Sequence, residues 1–197
     1  SHDWGSSVQQ TTDGGYIITG STWSFGNGLT DLYLIKTDEN GDSLWTKTFG
    51  GTGRDLGSSV QQTSDGGYVI CGVFFNSLDY DNLYLIKTDE NGNEQWSQTY
   101  DGSGGGDDRG NSVQQTSDGG YIICGVSETL DGNDNIYLIK TDGQGYVTST
   151  IELPTPQSKR ELIKTTNILG QENTTIKNQP MIEIYDDGST EKKIVLE

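Results

Sequence analysis

Apolar and polar residues alternate along most of this chain in short runs, and glycine-rich turns part the runs at regular intervals. Residues 5–11, 15–21, 31–37 and 43–49 are rich in Tyr, Ile, Val, Thr and Trp, which predicts four β-strands. Asp13-Gly14-Gly15 and Asn40-Gly41 fall between them as hairpin signals, because Asp-Gly and Asn-Gly readily supply positive φ. A more variable stretch joins the middle pair. No segment carries the 3.6-residue apolar period of a helix. The pattern predicts an all-β chain.

The four-strand pattern occurs three times. Ser7-Val8-Gln9-Gln10-Thr11 returns at Ser59 and at Ser112, and Asp13-Gly14-Gly15-Tyr16 returns at Asp65 and at Asp118. Tyr33-Leu34-Ile35-Lys36-Thr37-Asp38 returns at Tyr84 and at Tyr137. The units span about 1–51, 52–103 and 104–150. One antiparallel four-stranded sheet per unit, its edges shielded by neighbours, is the plan of a β-propeller blade. Three blades form only a partial propeller, since closure takes ~4–8. Ser1 falls inside the repeated phrase and no initiating Met is present, so further blades ahead of Ser1 are expected in preference to pairing of chains.

Composition changes near residue 150. Residues 1–150 hold 26 of the 28 Gly, all four Trp, 21 acids and 6 bases. Residues 151–197 hold all three Pro, 8 acids and 6 bases. The region 151–160, with Pro154 and Pro156, reads as a linker, because Pro resists both helix and central strand. Within 161–197, residues 161–166, 181–185 and 190–196 alternate as strands, with Asp186-Asp187-Gly188 as a turn. This predicts a small β unit too short for a sizeable core of its own.

The net charge of −17 repels phosphate backbones and anionic membrane surfaces, so nucleic-acid binding is excluded from the expectations. The single histidine, His2, leaves no His-based triad or His-rich metal site. No apolar run approaches the roughly 18 residues of a membrane span.

Resemblances to known families add to this reading. Gly20, Gly72 and Gly125 as small-residue stops after the second strand, with Tyr and Asp ahead of Trp45 or Trp96, make each unit resemble a kelch-type propeller repeat. Asp38-Glu39-Asn40-Gly41 leading to Trp45 also looks like the last hairpin of quinoprotein-type propellers. The Gln-Gln-Thr-x-Asp-Gly-Gly-Tyr runs are similar to acidic, Gly-rich propeller repeats of secreted bacterial proteins. Ser149 stands in place of the Trp in the third unit, whose outer strand is expected to be degenerate.

The tail resembles the type A C-terminal sorting domain of the type IX secretion system, a small β-sandwich-like unit. The resemblance rests on Leu169-Gly170 and on Ile184-Tyr185-Asp186-Asp187-Gly188 followed by Lys192-Lys193. It implies recognition by outer-membrane secretion machinery and a secreted or cell-surface location. Clipping of the tail, with release of the cargo or its attachment to surface lipopolysaccharide, belongs to the same implication.

Candidate chemistry within the repeats is sparse. Aspartates recur in register (Asp3, Asp55 and Asp108; Asp13, Asp65 and Asp118; Asp38, Asp89 and Asp142). They suit Ca²⁺ in principle, although turn capping accounts for them. Identical acids in every unit favour structure over catalysis, so no catalytic residue, metal site or cofactor is assigned. Symmetry breaks in the loops between strands two and three, residues 21–30, 73–81 and 126–134. Trp23, Phe25, Phe74, Phe75 and Tyr80 there are candidate contacts for a glycan or a protein ligand, with Asp131 and Asp134 in the third loop. The expected function is a non-catalytic exported binding or structural module. The alternatives are part of a propeller enzyme, quinoprotein-like or glycan-active, and a calcium-dependent adhesin. Cys71 and Cys124 are expected as buried free thiols.

Overall fold

The computed structural model describes residues 2–75, 80–102, 105–154, 162–167, 180–185 and 190–194. Every regular element among them is a β-strand. The chain divides into two compact units, Ser1–Thr155 and Pro156–Glu197.

The first unit contains three four-stranded antiparallel sheets, each built from consecutive strands. Sheet one holds β1 (Asp3–Gln10), β2 (Tyr16–Thr22), β3 (Asp31–Thr37) and β4 (Ser43–Phe49). Sheet two holds β5 (Leu56–Gln62), β6 (Tyr68–Phe75), β7 (Asp81–Thr88) and β8 (Glu94–Tyr100). Sheet three holds β9 (Gly105–Gln115), β10 (Tyr121–Thr129), β11 (Asp134–Thr141) and β12 (Val147–Pro154). The outer strand β12 is complete, pairing with β11 from Thr141↔Val147 to Asn135↔Pro154. The expected degeneracy therefore reduces to its side chains, with Ser149 opposite Lys140 where Trp45 and Trp96 stand opposite Lys36 and Lys87.

The hairpins form where the Asp-Gly-Gly phrases stand. The Gly14 N–H donates to the Thr11 carbonyl at 3.0 Å and the Thr11 N–H to the Gly15 carbonyl at 2.9 Å. Gly14 sits at φ +88°, a conformation costly for a side chain with Cβ. The glycines Gly20, Gly72 and Gly125 are not stops, because they lie inside β2, β6 and β10. Each faces a bulge in the sheet's first strand, falling between Gly5 and Ser7, between Gly57 and Ser59, and between Gly110 and Ser112. A Cβ on Gly20 would meet the Trp4 carbonyl oxygen at 1.8 Å, so the bulge closes only over glycine.

Both faces of a sheet are apolar, and successive sheets pack face to face. One core joins Ile17, Leu32, Leu34 and Phe49 of sheet one to Val60, Tyr68, Ile70, Tyr84 and Ile86 of sheet two. The second joins Val69, Cys71, Leu83, Leu85 and Tyr100 to Val113, Tyr121, Ile123, Tyr137 and Ile139 of sheet three. Burial of both strand faces explains why β6 reads as an unbroken apolar run. Trp45 of sheet one lies 5.9 Å from Tyr68 of sheet two, and Trp96 lies 5.8 Å from Tyr121 of sheet three. Below these rings run Gly92 and Gly145, where a Cβ would meet the indoles at 2.6 and 2.7 Å.

The first strands lie side by side, β1 beside β5 and β5 beside β9, and the Gln-Gln pairs bind them. Gln9 Oε1 accepts the Gln62 backbone N–H at 2.7 Å, and Gln62 Oε1 accepts that of Thr12 at 2.9 Å. The next pair of sheets repeats this. Gln61 Oε1 accepts from the Gln115 N–H at 2.6 Å, and Gln115 Oε1 from the Ser64 N–H at 2.8 Å. Edge-strand donors that would otherwise be open are thereby satisfied.

Cys71 and Cys124 are both free thiols, but only Cys71 is buried. Cys124 is exposed because it lies on the face of sheet three that no fourth sheet covers among the described residues. In the second unit, β13 (Leu162–Asn167), β14 (Pro180–Tyr185) and β15 (Thr190–Ile194) form one three-stranded antiparallel sheet.

Candidate functional site

The two ends of the sheets differ in kind, one repeating a single arrangement and the other carrying the loops that vary. At the end carrying the Asp-Gly-Gly turns, each sheet repeats one pin. The buried Lys36 ammonium reaches Asp13 at 2.9 Å and donates to the Thr37 carbonyl at 2.8 Å. Asp13 also accepts from the Thr11 hydroxyl and the Gly15 N–H. These bonds, the Thr11 hydroxyl first and then Lys36, lower its carboxyl to about 2. Lys87 with Asp65 and Lys140 with Asp118 reproduce the arrangement at 2.9 Å each.

Asp38, Asp89 and Asp142 are likewise engaged by their own turns. Asp38 accepts from the Asn40 and Asp42 N–H groups, Asp89 from Asn91 and Asn93, and Asp142 from Gln144 and Tyr146. Among the described residues no group of three or more metal-ligating side chains gathers around one point.

The opposite end carries the variable loops. Asp3, Asp55 and Asp108 stand here in register, each tying down a loop. Asp3 Oδ1 accepts from the Thr22 hydroxyl at 2.6 Å and from the Trp23 N–H at 3.1 Å. Its carboxyl is lowered, chiefly by the Thr22 bond. Asp55, fully buried, accepts from the Gly51 N–H at 2.7 Å and the Phe75 N–H at 3.0 Å. Burial raises its carboxyl, with Asp31 and Asp81 adding to the rise. Asp108 accepts from the Gly102 N–H at 2.7 Å.

Held in this way, Trp23 and Phe75 converge on a cleft of about 570 Å³ between sheets one and two. Trp4, Leu56, Arg54 and Asp81 line it too, together with Gly57 and the hydroxyl-bearing residues Ser6, Ser21, Thr30 and Ser58. Trp4 and Trp23 meet edge to face at 5.9 Å, and His2 lies 6.1 Å from each. Trp4, Trp23, Leu56 and Phe75 are all exposed, a concentration of apolar surface unusual outside binding sites. Asp81 is the one carboxylate in the described lining. Burial raises it, and Asp107 adds to that while Arg109 and Arg54 oppose it.

The five candidate aromatics therefore separate. Trp23 and Phe75 share the cleft. Phe25 stacks on Tyr33 at 5.8 Å and Phe74 packs on Tyr84 at 5.2 Å, both serving their own sheets. Tyr80 is exposed and is not part of the cleft lining. Trp4, Arg54 and Leu56 were not legible as site residues because they sit at the entry to first strands, outside the variable loops. In the third loop Asp131 is engaged by Thr129 and Asn133 in a closed turn, and Asp134 opens β11.

Of the tail residues, Ile184 and Tyr185 end β14, and Lys192 and Lys193 lie in β15, paired with Ile182 and Met181. Leu169, Gly170, Asp186, Asp187 and Gly188 lie outside the described residues. No protein-family model matches this chain, nor does any curated protein.

Proposed function

We propose that the chain belongs to an exported bacterial protein. In this reading its three sheets are kelch-like blades of a β-propeller that serves as a non-catalytic binding module outside the cell. The C-terminal unit is a sandwich-like sorting domain read by outer-membrane secretion machinery. The observation that carries the binding role is the cleft of Trp4, Trp23 and Phe75, placed where the repeats differ most. Aromatic faces beside one guanidinium, one carboxylate and several hydroxyls suit a glycan or an aromatic-anchored protein segment, because such sites pair apolar contact with a few orienting polar groups. The acids shared by all three sheets support the non-catalytic reading, since those described here hold their own turns and loops.

A glycan array probed with the full chain tests the binding role. Binding to a defined glycan class, lost on Trp23→Ala and Phe75→Ala but kept on Phe25→Ala, is the expected result. Binding unchanged by loss of Trp23 and Phe75 removes the cleft from consideration. The sorting role is tested separately by fusing residues 151–197 to a periplasmic reporter in a host with this secretion system. A reporter retained in the periplasm overturns that half of the proposal.

A further inference from the structure

At the end of the Asp-Gly-Gly turns, sheets two and three leave between them a second pocket, of about 460 Å³. Lys87, Gln95 and Trp96 of sheet two line it together with Gln115, Tyr121 and Gly143 of sheet three. Two changes of size and polarity set it apart from the same junction between sheets one and two. Gln95 takes the position of Leu44, and Gly143 the position of Glu90.

Three polar groups in this lining stand without partners among the described residues. Tyr121 is only 2% exposed, yet its hydroxyl makes no hydrogen bond there. Its counterpart Tyr68 is buried as deeply, but Glu90 stands near it and, after burial and Asp13, adds to the rise of its hydroxyl. Gly143 brings no such side chain to Tyr121. Gln10 and Gln62 donate their Nε2 amides to the Gly14 and Gly66 carbonyls at 3.2 and 3.4 Å, whereas Gln115 makes no such bond to Gly119. Gln95 accepts from Lys87 at 3.1 Å, which leaves its own Nε2 open. Buried polar groups ordinarily find a partner, so this pocket is set up to receive one.

Charge decides the class of ligand. The three donors of the Lys87 ammonium are engaged by Asp65 at 2.9 Å, by the Thr88 carbonyl at 2.8 Å and by Gln95. Lys87 therefore offers nothing to an anion, and the same contact neutralises Asp65. What remains is neutral: two amide donors, one phenol and the half-buried indole of Trp96. We propose that this pocket binds one neutral sugar residue, its hydroxyls meeting Tyr121, Gln95 and Gln115 and its apolar ring face meeting Trp96. The site lies at the opposite end of the sheets from the cleft and is independent of what the cleft binds.

Ligand-observed NMR titration of the full chain with the methyl glycosides of glucose, galactose and mannose tests it, with glucuronate as the charged comparison. The expected result is saturable binding of at least one methyl glycoside, weakened at least tenfold by Gly143→Glu. Glu39 and Glu90 already occupy that position in the other two units, and a Cβ at 143 comes no closer than 3.1 Å, to the Gly119 carbonyl, so the fold accommodates the change. Gln95→Leu, which installs the residue of sheet one, and Tyr121→Phe should each weaken binding roughly fivefold, the worth of one hydrogen bond. Trp23→Ala and Phe75→Ala should leave it unchanged. Binding of none of the three glycosides, or of glucuronate alone, overturns the proposal. So does binding that Gly143→Glu and Gln95→Leu leave intact, or binding that disappears with Trp23 and Phe75.

Discussion

Gln62 faces two ways across the boundary between sheets one and two, giving its backbone N–H to Gln9 and taking the N–H of Thr12 on its own side chain. Because the partners are main-chain donors at a strand edge, deleting the amide strands a donor as well as losing a bond. Gln62→Ala and Gln115→Ala should each lower unfolding free energy by about 1–2 kcal/mol. Gln10→Ala and Gln114→Ala, at the ends of the ladder, should stay within about 0.5 kcal/mol in dilute protein. Urea unfolding at fixed low concentration checks the contrast.

Gly92 and Gly41 provide a second internal control. Both sit at positive φ, +73° and +89°, so alanine at either carries a conformational penalty of about 1 kcal/mol. Only at Gly92 does the added Cβ meet Trp45, at 2.6 Å, while Gly41 has open space. Gly92→Ala should therefore be the more destabilising by at least about 1 kcal/mol, the cost of overpacking. Equal melting temperatures for the two variants would remove Trp45 as a constraint on sheet spacing.

The pins grade by burial. Lys87 is 4% exposed and Lys140 26% exposed, with their aspartates about equally open at 55% and 64%. Asp65→Ala leaves the more deeply buried ammonium and should cost on the order of 2 kcal/mol. That lies below the value for a fully enclosed pair because water reaches the carboxylate side. Asp118→Ala should cost less, and the order is read from denaturant midpoints.

Acid should weaken the repeats in a defined direction. Asp13 is lowered to about 2 by the Thr11 hydroxyl and Lys36. Asp118 is lowered by Thr116 and Lys140, and in Asp65 the Thr63 and Lys87 bonds outweigh burial. A carboxyl lowered in the folded state contributes stability above its unfolded value, near 3.9, and loses it as pH falls toward the folded one. Asp55 and Asp81, raised by burial, act in the opposite sense. The lowered groups are more numerous, so thermal stability should hold down to about pH 4 and fall steadily toward pH 2.

The thiols should separate cleanly. Burial pushes Cys71 up to about 12, whereas Cys124 is exposed. Dilute native protein should take one alkyl group, at Cys124, and unfolded protein two, as read by mass spectrometry. Modification of Cys71 in the native state would mean that the contact between sheets two and three opens.

Strand positions and hairpins were legible because they depend on neighbours in the chain, such as alternation in Tyr16–Thr22 and positive φ at Gly14. What was not legible depends on residues some fifty positions apart. The Gln-Gln pairs read only as repeated polar residues, since their partners are backbone groups of another sheet. Trp4 escaped notice because its column also holds Leu56 and Arg109, which share no chemistry. Gly20 read as a stop for the same reason, as only the opposing bulge explains it.

That bulge has a consequence for how such a chain diversifies. Ahead of it, the three first strands carry Trp4, Leu56 and Arg109, and beyond it all three read Ser-Val-Gln-Gln. The extra residue reverses the alternation of side chains, so the two halves of one strand answer to different neighbours. In sheets one and two the front half lines the cleft through Trp4 and Leu56, while Val60 of the rear half packs in the core between the sheets. Single mutations ahead of the bulge can thus change the surface at that end of a repeat, while the packing between sheets is kept from one repeat to the next.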